Sequence, residues 1–246
     1  MENVYRSDLD QGIGMHDCIS FDLMDTLIMR RVPLASDVFS MVEQRIVPQI
    51  SIPFCEYRIR SEKELIAQGI QPTIEGIYAY LAQLACLNEQ QIATLMEEEW
   101  KAEQEVLLLR RDMTDALRTA CESGKTATVL ADIYWSGIRI RDLLGEMGVQ
   151  TYTMILSAAD VGCGRANGLY AHYRAVCGEE KRFIHIGDNS VKDGEWARAN
   201  GIDSLIIPRA IDQYRRDNPG AQIPQDLSTR RILGEKIARQ YNSPFA

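Results

Sequence analysis

The chain has 246 residues, with 27 basic and 35 acidic side chains and a formal net charge of −8. This length suits one large domain or a core with a smaller insert, and 46% apolar residues are enough for a substantial core. A surface this acidic disfavours nucleic-acid binding, which needs clustered Lys and Arg, but a pocket holding a cation and a few basic groups can still take a small anionic substrate.

The sequence contains no pattern typical of a membrane-spanning segment or of an export signal. No apolar run approaches the roughly 18 residues that span a bilayer, and the N-terminal segment MENVYRSDLDQG lacks the apolar stretch of a signal peptide. We therefore expect a soluble cytoplasmic protein without a membrane partner. The six cysteines stand singly with no CxxC pair, so we expect free thiols and no structural zinc.

The first strand is predicted at residues 17–21, and four helices are predicted after it. Apolar residues recur at helical spacing in segments 36–47, 56–69, 72–85 and 88–108. The predicted N-caps are Ser36, Thr73 and Asn88. On the fourth helix we interpret Glu97, Glu98 and Glu99 as a solvated face. Four consecutive helices without a strand indicate a small helical module.

After residue 111 the pattern changes to alternating strands and helices. Short β-branched, apolar runs at residues 126–131, 151–157, 182–188 and 203–208 are separated by helical segments, and a last amphipathic helix is predicted at 226–242. This alternation is typical of βαβ units in a parallel sheet. We predict an α/β fold with a Rossmann-like parallel sheet flanked by helices. Its core comprises residues 1–30 and 106–246, and a helical module, residues 31–105, is inserted after the first strand.

Polar side chains follow the predicted strands at the edge where ligands bind in open parallel sheets. Asp22 follows the first strand, Asp132 ends the second, Arg165 lies in the loop after the third, and Asp188 and Asp193 follow the fourth. Carboxylates that converge in this way repel each other unless a cation neutralises them. Oxygen ligands suit a hard divalent ion, and Mg²⁺ is usual where phosphate is also bound. The pattern predicts a metal site with one carboxylate placed to attack.

Several motifs occur together and in a fixed order. They are SFDLMDTLIMRR at 20–31, P-x-x-x-DVF at 33–39, Arg58 with Glu62, TIEGIY at 73–78, LADIYWS at 130–136 and HIGDNSVKD at 185–193. Together they resemble the haloacid dehalogenase (HAD) superfamily of aspartate-nucleophile phosphohydrolases. The first motif is similar to SFDxFDTLxxR, found in a subgroup often associated with glycosyltransferases. The resemblance implies a HAD-like core, Mg²⁺ and a helical cap; a link to a glycosyltransferase-related pathway is expected from the resemblance only.

The resemblance also implies roles for individual residues. Asp22 is expected to attack phosphorus and form an aspartyl-phosphate. Asp22, Asp188, Asp193 and the main-chain carbonyl of Met24 are the expected metal ligands, with outer support of the site as the other role open to Asp193. Thr26 is expected to brace the motif loop.

Three positions depart from the usual phosphatase pattern. Met24 stands where most members carry the acid that protonates the leaving group, and Ala131 replaces a hydroxyl residue that contacts the phosphoryl group. Arg165 replaces a lysine and keeps its positive charge, so it is an expected catalytic and substrate-binding residue, with Asp132 as a second substrate-binding residue. On an extended backbone the side chain of Asp25 would turn to the other side, so it reaches the leaving oxygen only if the loop bulges, and we interpret it as structural.

The expected function is a Mg²⁺-dependent phosphohydrolase of reduced efficiency acting on a small phosphorylated metabolite such as a sugar or polyol phosphate. One alternative is a catalytically impaired HAD-like protein that serves as a binding or assembly partner. Another is a HAD hydrolase of different chemistry, namely halide displacement or phosphonate cleavage, with Lys63 and Lys101 as candidate cap lysines for the latter. Three interpretations without a catalytic role also stay open: Asp193 as a helix N-cap, Arg165 as a solvated loop residue and His185 as a core imidazole.

Overall fold

A computed structural model describes residues 4–245, which divide into two compact units. The first unit contains the described chain up to Met29, Leu108–Gly220 and the segment from Ile237 onwards. The second contains Arg30–Leu107 and Ala221–Lys236. Within the described residues, no helix combines the length and the apolar character that crossing a membrane requires.

Seven strands form two sheets in the described chain. They are β1 (Cys18–Phe21), β2 (Ile28–Arg30), β3 (Leu107–Leu109), β4 (Thr126–Ala131), β5 (Met154–Ser157), β6 (Phe183–Gly187) and β7 (Asp203–Ile206). The main sheet has the order β5-β4-β1-β6-β7 and all its neighbouring strands are parallel. The short strands β2 and β3 pair with each other.

Helices surround the main sheet and make up most of the second unit. Those of the first unit are α1 (Val4–Met15), α6 (Arg111–Glu122), α7 (Gly137–Glu146), α8 (Ala158–Val161), α9 (Leu169–Cys177), α10 (Trp196–Ala199) and α11 (Ala210–Asp217), together with a π-helical turn at Ser190–Glu195. Those of the second unit are α2 (Ser36–Ile46), α3 (Phe54–Ala67), α4 (Ile74–Ala85) and α5 (Glu89–Val106). The last helix, α12 (Leu227–Gln240), continues from the second unit into the first.

Strand β1 lies in the middle of the sheet, and this position places the site. All four of its residues are buried, as expected for a parallel strand covered on both faces. β4 pairs with one side of β1 and β6 with the other, so the residues that follow these three strands meet at one edge. The predicted α/β class, with a parallel sheet flanked by helices, is confirmed.

Some local predictions need correction. Helix α1 was not predicted, because within a polar segment only Leu9 and Ile13 supply large, fully buried apolar side chains. Ser36 is the first residue of α2 rather than its cap, and no side chain caps that helix. The predicted caps Thr73 and Asn88 are confirmed, since their side chains accept hydrogen bonds from Gly76 N and Gln91 N respectively.

The segment 221–236 groups with the helical unit, whereas the sequence placed it in the α/β core. Two ion pairs explain the grouping. Arg230 Nε lies 2.6 Å from Asp37 Oδ1, and Arg231 Nη2 lies 2.7 Å from Glu105 Oε1. Such pairings between distant parts of the chain leave no periodic signal in the sequence.

The interpretation of Glu99 as part of a solvated face is wrong. It is 2% exposed because it shares the buried stripe of α5 with Leu95 and Ala102, one turn away on either side. Its carboxylate accepts hydrogen bonds from Arg58 Nε at 2.8 Å and Tyr78 Oη at 2.7 Å. Burial raises the pKa of Glu99, and the charge of Arg58 opposes that rise.

We expect Glu99→Ala to destabilise the helical unit by about 3 kcal/mol, because it takes from the buried Arg58 its buried carboxylate partner. The double variant Arg58→Met/Glu99→Leu should regain most of that loss, since it removes both charges and keeps the volume. Urea unfolding of both variants measures the difference. Equal destabilisation by the single and the double variant would contradict this account.

Candidate active site

The site is a cavity of about 190 Å³ at the carboxyl edge of β1, β4 and β6. It is formed by residues of the first unit, which are Asp22, Leu23, Met24, Asp25, Ala131, Asp132, Ile133, Arg165, Asp188, Asn189, Lys192 and Asp193. This volume is below the range of about 300–1,000 Å³ usual for drug-sized ligands. The cavity therefore suits a small molecule or the small end group of a larger one.

The residues after β1 form a tight turn. Leu27 N and Ile28 N both donate to Leu23 O at 3.0 Å, and Asp25 takes the left-handed conformation with φ 56°. Asp and Asn tolerate this conformation better than most residues. Because the backbone is not extended here, the expected alternation of side chains does not hold, and Asp25 lines the same cavity as Asp22.

Three of the predicted metal ligands come together. One carboxylate oxygen from each of Asp22, Asp188 and Asp193 lies within 4.8 Å of the other two. Burial raises the pKa of Asp188 to about 8, and the negative charge of Asp22 adds to that rise. Burial likewise raises the pKa of Asp22 to about 6, against the charge of Arg165. The site thus disfavours the charged form of Asp188 unless more positive charge is brought to it.

Asp193 supports the loop that carries Asp188. Its Oδ2 accepts hydrogen bonds from Asp188 N at 2.9 Å and Asn189 N at 2.8 Å. Burial would raise the pKa of Asp193, but the hydrogen bond from His185 and the charge of Arg165 lower it to about 2. The interpretation of Asp193 as a helix N-cap is wrong, because Asn189 caps the π-helical turn through Val191 N and Lys192 N.

Gly187 explains how a carboxylate fits beneath this loop. A Cβ atom on Gly187 would lie 2.3 Å from Asp193 Cγ, which is closer than any real contact. Only glycine therefore leaves room for Asp193 against the end of β6.

Arg165 lies inside the site and not on a solvated loop. It is 4% exposed, and its guanidinium donates to Asp22 Oδ1, Asp193 Oδ1 and, at 2.6 Å, Leu130 O. Burial disfavours the charged form, but the two carboxylates outweigh it and raise the pKa of Arg165. A permanently charged guanidinium therefore lies against the expected nucleophile.

His185 is buried on β6, behind Asp193. Its Nδ1 lies 2.8 Å from Ser20 Oγ and its Nε2 lies 3.3 Å from Asp193 Oδ1. Burial lowers the pKa of this imidazole to about 4, so it is neutral at physiological pH. The neutral ring donates from Nε2 to Asp193 and accepts from Ser20.

The remaining candidates differ in how they relate to the cavity. Met24 and Asp132 line it, next to Ala131. Thr26 is fully buried, and its hydroxyl has no hydrogen-bond partner within the described residues, so the main chain and not this hydroxyl supplies the hydrogen bonds of the turn. Lys192 also lines the cavity and was not singled out from the sequence, although its place inside GDNSVKD was a usable signal.

The donor set fits a hard divalent cation. Carboxylate oxygens from three residues lie close together, and Met24 lines the same cavity. All of these donors are oxygens, as Mg²⁺ and Ca²⁺ prefer. A cation of this kind would remove the repulsion that raises the pKa of Asp188.

No protein-family model matches the sequence, and no curated protein matches it. The fold, however, is that of solved HAD-family enzymes. An L-2-haloacid dehalogenase from Xanthobacter autotrophicus superposes with a TM-score of 0.57 at 15% identity, covering 89% of this chain and 88% of that one. A HAD-family enzyme from Bacteroides thetaiotaomicron gives 0.54 at 12% identity, with 79% and 94% covered. A HAD phosphatase from Thermococcus onnurineus gives 0.52 at 15% identity, with 84% and 100% covered.

The raised pKa of Asp188 predicts how stability varies with pH when metal is chelated. The folded state holds this proton up to about pH 8, whereas the unfolded state releases it near pH 3.8. The contribution of Asp188 to the stability of the folded state is therefore fully present below pH 3.8 and is lost as the pH rises to about 8.

We accordingly expect Asp188→Asn to be more stable than the wild type at pH 8 when both are unfolded by urea in EDTA. Its free energy of unfolding should be higher by about 2 kcal/mol or more, given about 1.4 kcal/mol per pKa unit. The two proteins should differ little near pH 4.5. Asp142→Asn on the surface of α7 is the control. A wild type as stable as Asp188→Asn at pH 8 would contradict the strained carboxylate site.

Proposed function

We propose that this protein is a Mg²⁺-dependent phosphohydrolase that acts through an aspartyl-phosphate on Asp22. The observation that carries the proposal is the grouping of Asp22, Asp188 and Asp193 within 4.8 Å, with the guanidinium of Arg165 against Asp22. A nucleophile, an acidic cation site and a fixed positive charge are the parts that phosphoryl transfer requires. The likeness to HAD enzymes supports the fold on which this chemistry would take place.

In the first step, an Asp22 carboxylate oxygen attacks phosphorus and the bond from phosphorus to the ester oxygen breaks. The alkoxide leaves and takes a proton from water, which yields the alcohol. A water molecule then attacks the phosphorus of the aspartyl-phosphate and gives up a proton to solvent, which releases inorganic phosphate and restores the carboxylate. Mg²⁺ bound by Asp22, Asp188 and the carbonyl of Met24 would supply charge neutralisation between nucleophile and phosphate.

Arg165 and Lys192 are proposed to hold the substrate phosphoryl group. The planar fork of Arg165 matches two phosphate oxygens, provided that it exchanges its contact with Asp22 for one with the substrate. Lys192 on the cavity wall adds a second positive charge. Asp132, also on the wall, is proposed to accept a hydrogen bond from a substrate hydroxyl.

The volume of the cavity supports the proposed substrate class. A volume of about 190 Å³ suits a phosphoryl group with part of a small polar molecule, such as a sugar or polyol phosphate. The helical unit is proposed as the cap that selects the substrate. A role in a glycosyltransferase-related pathway stays a proposal from resemblance.

The decisive assay measures phosphate release from a panel of phosphate esters with Mg²⁺ or with EDTA. We expect Mg²⁺-dependent turnover that Asp22→Asn reduces to background, because the amide cannot act as the nucleophile. The surface variant Asp142→Asn should keep wild-type turnover. Metal binding without turnover of any ester would instead support a catalytically impaired binding protein.

The presence of Met24 predicts that the turnover rate depends steeply on the leaving group of the ester. A methionine side chain cannot protonate the departing oxygen, so esters of poor leaving groups should turn over slowly. Met24→Asp should raise turnover of an alkyl ester, glycerol 2-phosphate, by about 10²-fold, the usual contribution of general acid catalysis. It should change p-nitrophenyl phosphate turnover little, and Met24→Asn, which carries no acid, should raise neither. A gain that is equal for both esters and both variants would contradict the missing-acid account.

Halide displacement is the second candidate function. Direct attack of Asp22 on a halogen-bearing carbon needs neither a leaving-group acid nor a phosphoryl-binding hydroxyl, so Met24 and Ala131 are no obstacle to it. An L-2-haloacid dehalogenase also has the same fold. Chloride release from L-2-chloropropionate that is unaffected by EDTA, with no phosphatase activity, would favour this candidate.

A further inference from the structure

A fully buried arginine supports the site from outside the cavity. Arg110, the residue after β3, is 0% exposed. Each of its three guanidinium nitrogens donates to a main-chain carbonyl: Nε to Asn242 O at 3.0 Å, Nη2 to Pro208 O at 3.1 Å, and Nη1 to Asp25 O. These carbonyls belong to three segments that are far apart in the sequence. The guanidinium thus joins them at one point.

Arg110 holds the turn after β1 at two places. Its side chain binds the carbonyl of Asp25, and its own main-chain N donates to Leu27 O at 2.9 Å. The two contacts lie on either side of Thr26, whose hydroxyl makes no hydrogen bond in the described chain. Arg110 therefore supplies side-chain bracing to the turn that Thr26 was expected to give.

The other two carbonyls lie in segments with contacts of their own. Pro208 precedes Arg209, whose Nε lies 3.9 Å from Asp188 Oδ2. The side chain of Asn242 donates to Leu109 O at 2.8 Å and accepts from Arg111 N at 3.3 Å. Arg110 thus ties the turn to the loop after β7 and to the C-terminal segment.

A buried guanidinium is a costly means of filling space, since apolar residues of similar volume are often as stabilising. Its pKa is lowered to about 10 by burial, against the charges of Asp25 and Asp188, so it remains cationic at neutral pH. What arginine offers over an apolar residue is three donor nitrogens in a fixed plane.

We propose that Arg110 is a positioning residue of the site, which holds the turn at residues 23–27 so that Asp22 and the Met24 carbonyl keep their places. The benefit to catalysis rests on the proposed phosphohydrolase function. The effect on the geometry of the turn does not, and the two are measured separately below.

The test compares Arg110→Lys, Arg110→Met and a chain ending at Tyr241, which lacks one of the three acceptors. Lysine keeps the charge but cannot reach three carbonyls, so it separates charge from geometry. Leu144→Ala is the control. Leu144 is buried in α7 and does not line the cavity, so its replacement should lower the stability of the protein without touching the site.

The first readout needs no activity. Hydrogen exchange of the Leu27 and Ile28 amides should be about tenfold faster in both Arg110 variants and in the truncated chain, because the turn opens locally. Exchange in β4 and β6 should stay at the wild-type rate. The Mg²⁺ affinity of the Arg110 variants, measured by calorimetry, should be about tenfold lower than that of the wild type, which is the usual loss when a residue that orients metal ligands is replaced.

The second readout uses p-nitrophenyl phosphate with Mg²⁺. We expect kcat to fall by about 10²-fold in Arg110→Lys with little change in KM, because a misplaced nucleophile slows the chemical step while Arg165 and Lys192 still bind the phosphoryl group. Leu144→Ala should keep kcat despite its lower thermal stability.

The proposal is overturned if the Arg110 variants and the truncated chain exchange the Leu27 and Ile28 amides at the rates of Leu144→Ala. It is also overturned if Arg110→Lys keeps wild-type kcat and Mg²⁺ affinity. Faster exchange and weaker Mg²⁺ binding in a protein whose wild type hydrolyses no ester would support the positioning role and reject the phosphohydrolase function.

Discussion

The site depends on the imbalance between its carboxylates and the guanidinium of Arg165, which contacts two of them. Arg165 donates to Asp22 and to Asp193 and so compensates those two groups. Asp188 lies 3.9 Å from the partly exposed Arg209, and its pKa rises to about 8 through burial and through its acidic neighbours. An acidic group held among other carboxylates in this way suits a site that a cation completes. The supports of the loops and the proposed chemistry both relate to this imbalance.

Rigid local supports make such crowding possible. Asp193 is held under the loop after β6 by two main-chain N–H groups, and Gly187 provides the space it occupies. On the other side, the turn after β1 is held by its own hydrogen bonds and by Arg110. Mutually repelling groups need such supports, because a flexible loop would relax the repulsion by moving them apart.

The sequence predicted what depends on local pattern and missed what depends on distant contacts. Alternation of strands and helices indicated the parallel sheet, and the strand ends located Asp22 and Asp188, because the periodicity of apolar residues and the ends of strands are local properties. The contact of Arg165 with Asp22 could not be predicted, since the two residues are 143 positions apart in the sequence. The bulge that brings Asp25 to the cavity was left open, because nothing in the local pattern indicated its φ of 56°. Arg110 was overlooked because main-chain carbonyls, which every residue has, are its partners.

The same charge imbalance separates the two candidate reactions. Halide displacement by Asp22 requires a free carboxylate and a cation for the substrate's own carboxylate, and Arg165 with Lys192 would suffice for that. It gives no reason to bury Asp188 next to Asp22 and Asp193, an arrangement that lowers stability at neutral pH. Phosphoryl transfer gives that reason, because a divalent cation is needed to bring a dianionic phosphate against a carboxylate nucleophile. Met24 and Ala131 lower the expected rate of phosphoryl transfer, whereas the halide reaction leaves Asp188 unexplained, and the phosphohydrolase is therefore the better account of the whole site.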